Sequence, residues 1–148
     1  MALPKTLLAL PFLVAALEGC AVFSPFAHLS PRDCLMRAMY FESNRSSEEG
    51  MFAVGTVVMN RVTDGHYPKS VCGVVGQKNQ FAAGLLYKPM KEKRSAALAG
   101  RVADAVLAGA RHPGARHAKH FHTAGLRFPY DNMHYVLEAG GNEFYEKY

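Results

Sequence analysis

The sequence predicts an α+β fold: one mostly helical domain with a small β element in its C-terminal half. Three observations carry this. At 148 residues the chain has room for one sizeable core and not comfortably for two. From residue 31 to 110 apolar residues recur at helical spacing. After residue 117 the pattern changes to alternation, and a Gly-Gly pair separates the last two segments. Nearly half of the residues are apolar (49%) and both charge signs are interspersed, which excludes a disordered chain.

Residues 1–20, MALPKTLLALPFLVAALEGC, read as a signal segment and not as part of the fold. Lys5 supplies a positive start, and Leu7 to Leu17 is an apolar run too short to span a bilayer comfortably. The order Leu17-Glu18-Gly19-Cys20 resembles a lipoprotein cleavage box, which would lipidate Cys20 and anchor the chain to a membrane. Glu18 departs from the small residue usual there, and ordinary cleavage near Ala21 is the alternative. Either way the expected location is outside the cytoplasm, in a periplasm or cell envelope. Loss of residues 1 to 19 removes one Lys and one Glu, so the net charge stays at +5. A basic exported domain suits a polyanionic envelope partner. The basic residues form no run with interleaved aromatics, so nucleic acid is not the expected partner.

Residues 21–30 read as a linker that ends on an N-cap, Ser30, before Pro31. The domain is expected over 31–148. Its first helix, PRDCLMRAMYFES, places Leu35, Ala38, Met39 and Glu42 on one side. Ser46 or Ser47 caps a second helix, with Glu48 and Glu49 in the first turn, where acids suit the helix dipole. Its body, MFAVGTVVMNRV, is apolar nearly all round and is expected to be the central helix, closed by hydrogen bonds of Asn60 and Arg61. TDGHYP is a turn, SVCGVVGQ a short helix, and QKNQFAAG an extended piece or hairpin. A long helix is expected from Lys91 to Ala110, burying Ala97, Val102, Val106 and Leu107. RHPGARH is a loop and AKHFHTAG a strand. The remainder gives a loop, a strand, the Gly-Gly turn and a short terminal segment. Cys34 and Cys72 remain once Cys20 is set aside. In an oxidising compartment such a pair is expected to be a disulfide, with two buried free thiols as the alternative.

Glu42 is the first candidate for chemistry. A carboxyl beside Tyr40, Phe41 and aliphatic neighbours loses hydration in its charged form, which raises its pKa. An acid that keeps its proton near neutral pH can protonate a leaving oxygen, as cleavage of a glycosidic bond requires. Taken alone, Glu42 fits better a snorkelling surface acid at a helix end. His120 and His122, at i and i+2 on one strand, face the same way, with His112 and His117 upstream. Two imidazoles and a further ligand would suit zinc, but no HExxH-type helix accompanies them. Gln80 and Phe81 offer an amide and a ring to a sugar's hydroxyl edge and apolar face. Tyr130, after Pro129 in a loop, is a sugar-stacking candidate, and Tyr135 a lesser one. Tyr40 either hydrogen-bonds in the groove or packs behind Glu42.

The ordered set CLMRAMYFES, EEG, AVGTVVMNRV, YPKSVCGVVGQKNQF, an Ala-rich helix, AKHFHTAG, FPY and GGNEFY resembles the SleB-type cell-wall hydrolase family, relatives of spore-cortex-lytic enzymes. The resemblance covers residues 34 to 146. It implies a small lysozyme-like, transglycosylase-type fold acting on peptidoglycan glycan strands, without a cofactor or metal. It implies Glu42 as the catalytic acid, and places His120 and His122 on a strand near the glycan groove. Many relatives carry Arg-Gly-Glu just after the catalytic position. Here Asn44, Arg45 and Ser46 stand there, while Glu49 before Gly50 is kept. With one assured acid the implied mechanism is that of a lytic transglycosylase. A muramidase would need a second carboxylate, for which Glu49, Asp64 and Asp131 are available. The alternative from another class is a non-catalytic wall-binding lipoprotein that keeps the groove.

Overall fold

The computed structural model describes residues 29–148. The signal segment, the Cys20 lipidation site and most of the linker lie outside the described residues. Four helices and a three-stranded antiparallel sheet follow one another in the order α1 (Pro31–Glu42), α2 (Glu48–Thr63), α3 (Val71–Val75), α4 (Lys93–Leu107), β1 (His120–Thr123), β2 (Met133–Ala139) and β3 (Asn142–Lys147). Among the described residues no helix is long and apolar enough to cross a membrane.

The first three helices start where the sequence provides a serine cap, and α4 starts without a side-chain cap. Ser30 Oγ accepts from the Asp33 N–H while the Asp33 carboxylate accepts from the Ser30 N–H, a capping box followed by Pro31 at the first helical position. Ser47 Oγ accepts from the Gly50 N–H at the start of α2. That helix is buried on nearly every side, at Met51, Ala53, Val54, Gly55, Thr56, Val57 and Val58. It is the centre of the domain, packed by α1, α3 and α4. The bond between Cys34 and Cys72 joins the first turn of α1 to α3.

Four expectations are corrected. Asn60 and Arg61 do not close α2; they reach sideways. Asn60 Nδ2 donates to the carbonyls of Arg116 and Ala118, and Arg61 Nε donates to that of Lys119 at 2.7 Å, so α2 holds the chain that enters β1. The segment 77–84 is a succession of turns and neither an extended piece nor a hairpin. Asn79 and Gly84 take φ of 61° and 70°, which reverse the chain repeatedly, and Ala82-Ala83 offers no β-branched side chain to favour a strand. α4 is shorter at both ends, and its buried stripe runs through Ala99, Val102, Ala103 and Val106, leaving Ala97 and Leu107 outside. That is the i, i+3, i+4, i+7 face, and Leu107 falls off it at 39% exposure. The short terminal segment, finally, is the middle strand. The sheet order is β1-β3-β2, with Phe144 of β3 fully buried in the core beside Phe121 of β1.

The β2–β3 turn is formed by Gly140 and Gly141, both at positive φ (57° and 82°), as a two-residue hairpin requires. Gly140 lies against Gly50 at the start of α2. A Cβ on Gly50 would stand 2.5 Å from Gly140 Cα and 2.3 Å from Ser43 Oγ. The turn thus reaches the α1–α2 junction only because both residues lack side chains. Gly50→Ala is expected to cost about 1–3 kcal/mol, the usual penalty for forcing volume into a packed contact. Gly65→Ala, where an added Cβ meets nothing within 4 Å, serves as the near-neutral control. Denaturant midpoints of the two variants check this; equal midpoints would mean that the contact is not tight.

Candidate active site

Glu42 is the last residue of α1, and its surroundings come from three parts of the chain. Its backbone carbonyl accepts a hydrogen bond from Asn142 Nδ2 at 2.6 Å. Two residues on, the Asn44 N–H donates to the Gly140 carbonyl at 2.8 Å. The helix end is therefore fastened to the Gly-Gly turn and the first residue of β3. Its side chain points to the turns of 76–92, where the Ala82 N–H donates to Glu42 Oε1. Oε2 has no hydrogen-bond partner among the described residues, and the side chain is half-buried.

Burial pushes the Glu42 carboxyl above its ordinary pKa. The Ala82 N–H and the cations of Lys88 and Arg61 oppose this without overcoming it. One oxygen is thus held in place, the other is free, and the proton is retained further toward neutral pH than on an exposed glutamate. Such a group can give a proton and take one back. The charges that bear on it are cationic. Asp64 is held ionised by Lys119 and His66 beyond the C-terminal end of α2. Glu49 faces His112 at 3.5 Å. Asp131 lies exposed in the loop before β2.

The other candidate residues fall into two groups. His120, His122 and Tyr130 belong to one aromatic surface on the sheet. His120 stacks on Tyr145 across the β1–β3 pair, with centroids 5.3 Å apart. His122 lies edge-on to Tyr135 and Phe128, and Phe128 stacks on Tyr130. His122 Nδ1 donates to the Thr123 carbonyl at 2.8 Å, so in the neutral ring Nε2 accepts from the Tyr135 hydroxyl at 2.9 Å. Burial, and after it the positive charges of Arg61, Lys147 and Lys119, lower the His120 pKa, which keeps that ring neutral. Tyr130 is 63% exposed at the end of this row. Among the described residues no group of three or more His, Cys, Asp or Glu side chains is arranged to hold a metal ion.

Gln80 is exposed on the turns that carry Ala82, two residues from the donor to Glu42. A hollow of about 440 Å³, lined by Phe81, Ala82, Leu85 and Leu86 among others, opens beside it. A larger hollow lies at the start of α4, between Arg45, Lys93, Arg94 and Arg101, and does not include Glu42. Tyr40 is corrected: it is 1% exposed, its hydroxyl accepts from the Glu92 N–H at 3.0 Å, and Arg45 covers its ring. It packs behind the helix and is closed to a sugar.

Three contributors had no place in the sequence reading. The Ala82 N–H is a backbone group, invisible in a side-chain pattern. Asn142 carried a signal, a polar residue directly after a hairpin turn in a strand that is otherwise buried at alternate positions. Arg61 was read as a helix-closing residue, yet it is 3% exposed and feels the charge of Glu42.

The profile of the family described as Cell Wall Hydrolase matches residues 45–145. It begins three residues after Glu42, so the role of that residue rests on its geometry. The fold is similar to that of the catalytic domain of the Bacillus cereus SleB protein, at 23% identity and a TM-score of 0.62, over 81% of this chain and 94% of that one. It is equally similar to the catalytic domain of the germination-specific lytic transglycosylase SleB of Bacillus anthracis, at 23% identity and a TM-score of 0.61, over 81% and 98%. No curated protein shows significant similarity to the chain.

A raised carboxyl pKa has a stability consequence. The protonated form is the one the fold favours. Its contribution is complete below the ordinary glutamate pKa of about 4.3 and is lost as pH rises through the higher folded value. Glu42→Gln is therefore expected to unfold at a higher temperature than the wild type at neutral pH, with the gap closing toward pH 3.5. Melting curves at both pH values test it, and a gap of the opposite sign would contradict the desolvation of Glu42.

Proposed function

Because the chain belongs to the cell wall hydrolase family, we propose that it cleaves the glycan strands of peptidoglycan as a lytic transglycosylase with Glu42 as its single acid and base. The observation that carries this reading is the Glu42 carboxyl itself: half-buried, raised in pKa, tethered through Oε1 and free at Oε2, with cations and no second carboxylate bearing on it. In the proposed step Glu42 protonates the oxygen between N-acetylmuramic acid C1 and N-acetylglucosamine. The C1–O bond breaks, and the muramyl 6-hydroxyl oxygen forms the new bond to C1. The proton of that hydroxyl returns to Glu42. The products are a 1,6-anhydro-muramyl end and a free hydroxyl on the departing sugar, so the acid is regenerated and no water is consumed.

The aromatic row on the sheet supports the same reading. Tyr130 and Phe128 offer exposed rings of a kind that sugars pack against, and Gln80 offers an exposed amide on the turns that carry Ala82. Access to this substrate requires export, the role proposed for residues 1–20; whether Cys20 is then lipidated or removed leaves the chemistry unchanged.

Mass spectrometry of purified peptidoglycan digested by residues 21–148 tests the proposal. Muropeptides ending in 1,6-anhydro-muramic acid are expected, and Glu42→Gln should reduce them by about 10²- to 10⁴-fold. Reducing ends would instead make water the nucleophile. Binding to the wall without products from either protein would make the chain a binding module. Tyr130→Ala is expected to raise KM with little change in kcat, as loss of a contact made equally in ground and transition states does; an unchanged KM would remove Tyr130 from the binding surface.

A further inference from the structure

Arg61 is the one charged residue in the core of the described chain. Burying a cation is costly unless it is paired. Yet among the described residues no carboxylate stands within ion-pair distance of it. Its Nε is satisfied by the Lys119 carbonyl, and its Nη1 is buried with no hydrogen-bond partner. What surrounds the guanidinium is aromatic: the rings of Tyr67 and Phe81 each lie 5.3 Å from its central carbon. Phe81 also meets Phe121 of β1, and it directly precedes Ala82, the donor to Glu42. The plane of one side chain thus seats the ring next to the N–H that holds the acid.

We propose that Arg61 is a positioning residue of this active site: held against the rings of Tyr67 and Phe81, it fixes the Phe81–Ala82 segment, and with it the Ala82 N–H, against Glu42. Its part in turnover rests on the transglycosylase reading above; its coupling to Glu42 through the Phe81–Ala82 segment does not. A planar cation suits the place because it can lie against two ring faces while keeping one edge for the Lys119 carbonyl, which an ammonium cannot reproduce.

The groups facing this pair come from every element around it. Lys88 faces Glu42 from the turns of 76–92. His120 on β1 and Tyr145 on β3 face Arg61, and so does Tyr67 after α2. Lys119 touches Arg61 through its carbonyl, while its ammonium is drawn to Asp64. Lys88 is exposed, so its effect on Glu42 is screened by solvent and salt. Arg61 is buried, and its charge acts on Glu42 after that of Lys88.

The test is a carboxyl titration of Glu42 by ¹³C NMR in the substrate-free protein, in wild type, Arg61→Met and Arg61→Lys. The titration of Glu42 is expected to move to higher pH in Arg61→Met and to stay nearer the wild type in Arg61→Lys. With peptidoglycan, the pH profile of kcat should move in the same direction and kcat should fall by up to about 10²-fold, the cost of a misplaced acid. An unchanged Glu42 titration in folded Arg61→Met overturns the coupling. Should that variant fail to fold, the ¹⁵Nε resonance of Arg61 in the wild type replaces it. A step at the Glu42 midpoint that vanishes in Glu42→Gln supports the coupling, and a flat trace overturns it. A shifted titration in a protein that yields no anhydro-muropeptides would leave the coupling standing and remove the reaction.

Discussion

The backbone of Gly140 lies on the backbone of Gly50, and the place of Glu42 depends on that contact. The hairpin turn and the start of the central helix come closer than any side chain would permit. The approach lets the Gly140 carbonyl take the Asn44 N–H and lets Asn142 reach the Glu42 carbonyl. Helix ends leave carbonyls without intrahelical partners. Here the sheet supplies the partner, and in doing so it fixes the last residue of α1, the one that carries the acid. The sheet therefore contributes more than a wall of aromatic rings. It sets the position and exit direction of the residue that those rings would serve.

Opposed effects then tune that residue. Withdrawal from water favours the neutral carboxyl, while a backbone N–H and two cations favour the charged one. Burial dominates, but it does not act alone. Burial by itself would leave an acid that gives up its proton reluctantly and forms a carboxylate with nothing to stabilise it. The Ala82 N–H and the cations of Lys88 and Arg61 favour the charged form and offset part of the rise that burial causes. In the proposed reaction Glu42 loses a proton and recovers one in each cycle, which needs both forms within reach.

Much of this was legible in the sequence, and the unread parts have physical reasons. The caps at Ser30 and Ser47, the all-round burial of α2 and the reading of Glu42 as an extension of the apolar stripe follow from spacing alone. The turns of 76–92 did not follow, because tertiary contacts set their conformation: Leu85 and Leu86 are buried while the residues between them and Gln77 wind through turns. For Tyr40 the sequence left open a hydrogen bond in the groove or packing behind Glu42. Two positions along a helix is about 200° around it, so it faces α4 instead. The long reach of Arg61 was hidden for a related reason. Its partners come from 6 to 58 residues away, and no local pattern records them.

The segment after Glu42 bears on how many acids the site can use. Where many relatives of the SleB type carry Arg-Gly-Glu, this chain has Asn44, Arg45 and Ser46, and each is occupied. Asn44 Oδ1 accepts from the N–H and the hydroxyl of Ser46, which closes a local turn. Arg45 pairs with Glu92 at the start of α4 and lies over the ring of Tyr40. The stretch has become a brace between the α1–α2 junction and α4. Glu49, the acid that this region keeps, faces His112. Of the other candidate carboxylates, Glu49 and Asp64 are held by partners elsewhere, and Asp131 lies exposed in the loop before β2. On the transglycosylase reading proposed above, Glu42 gives the proton and also takes one back.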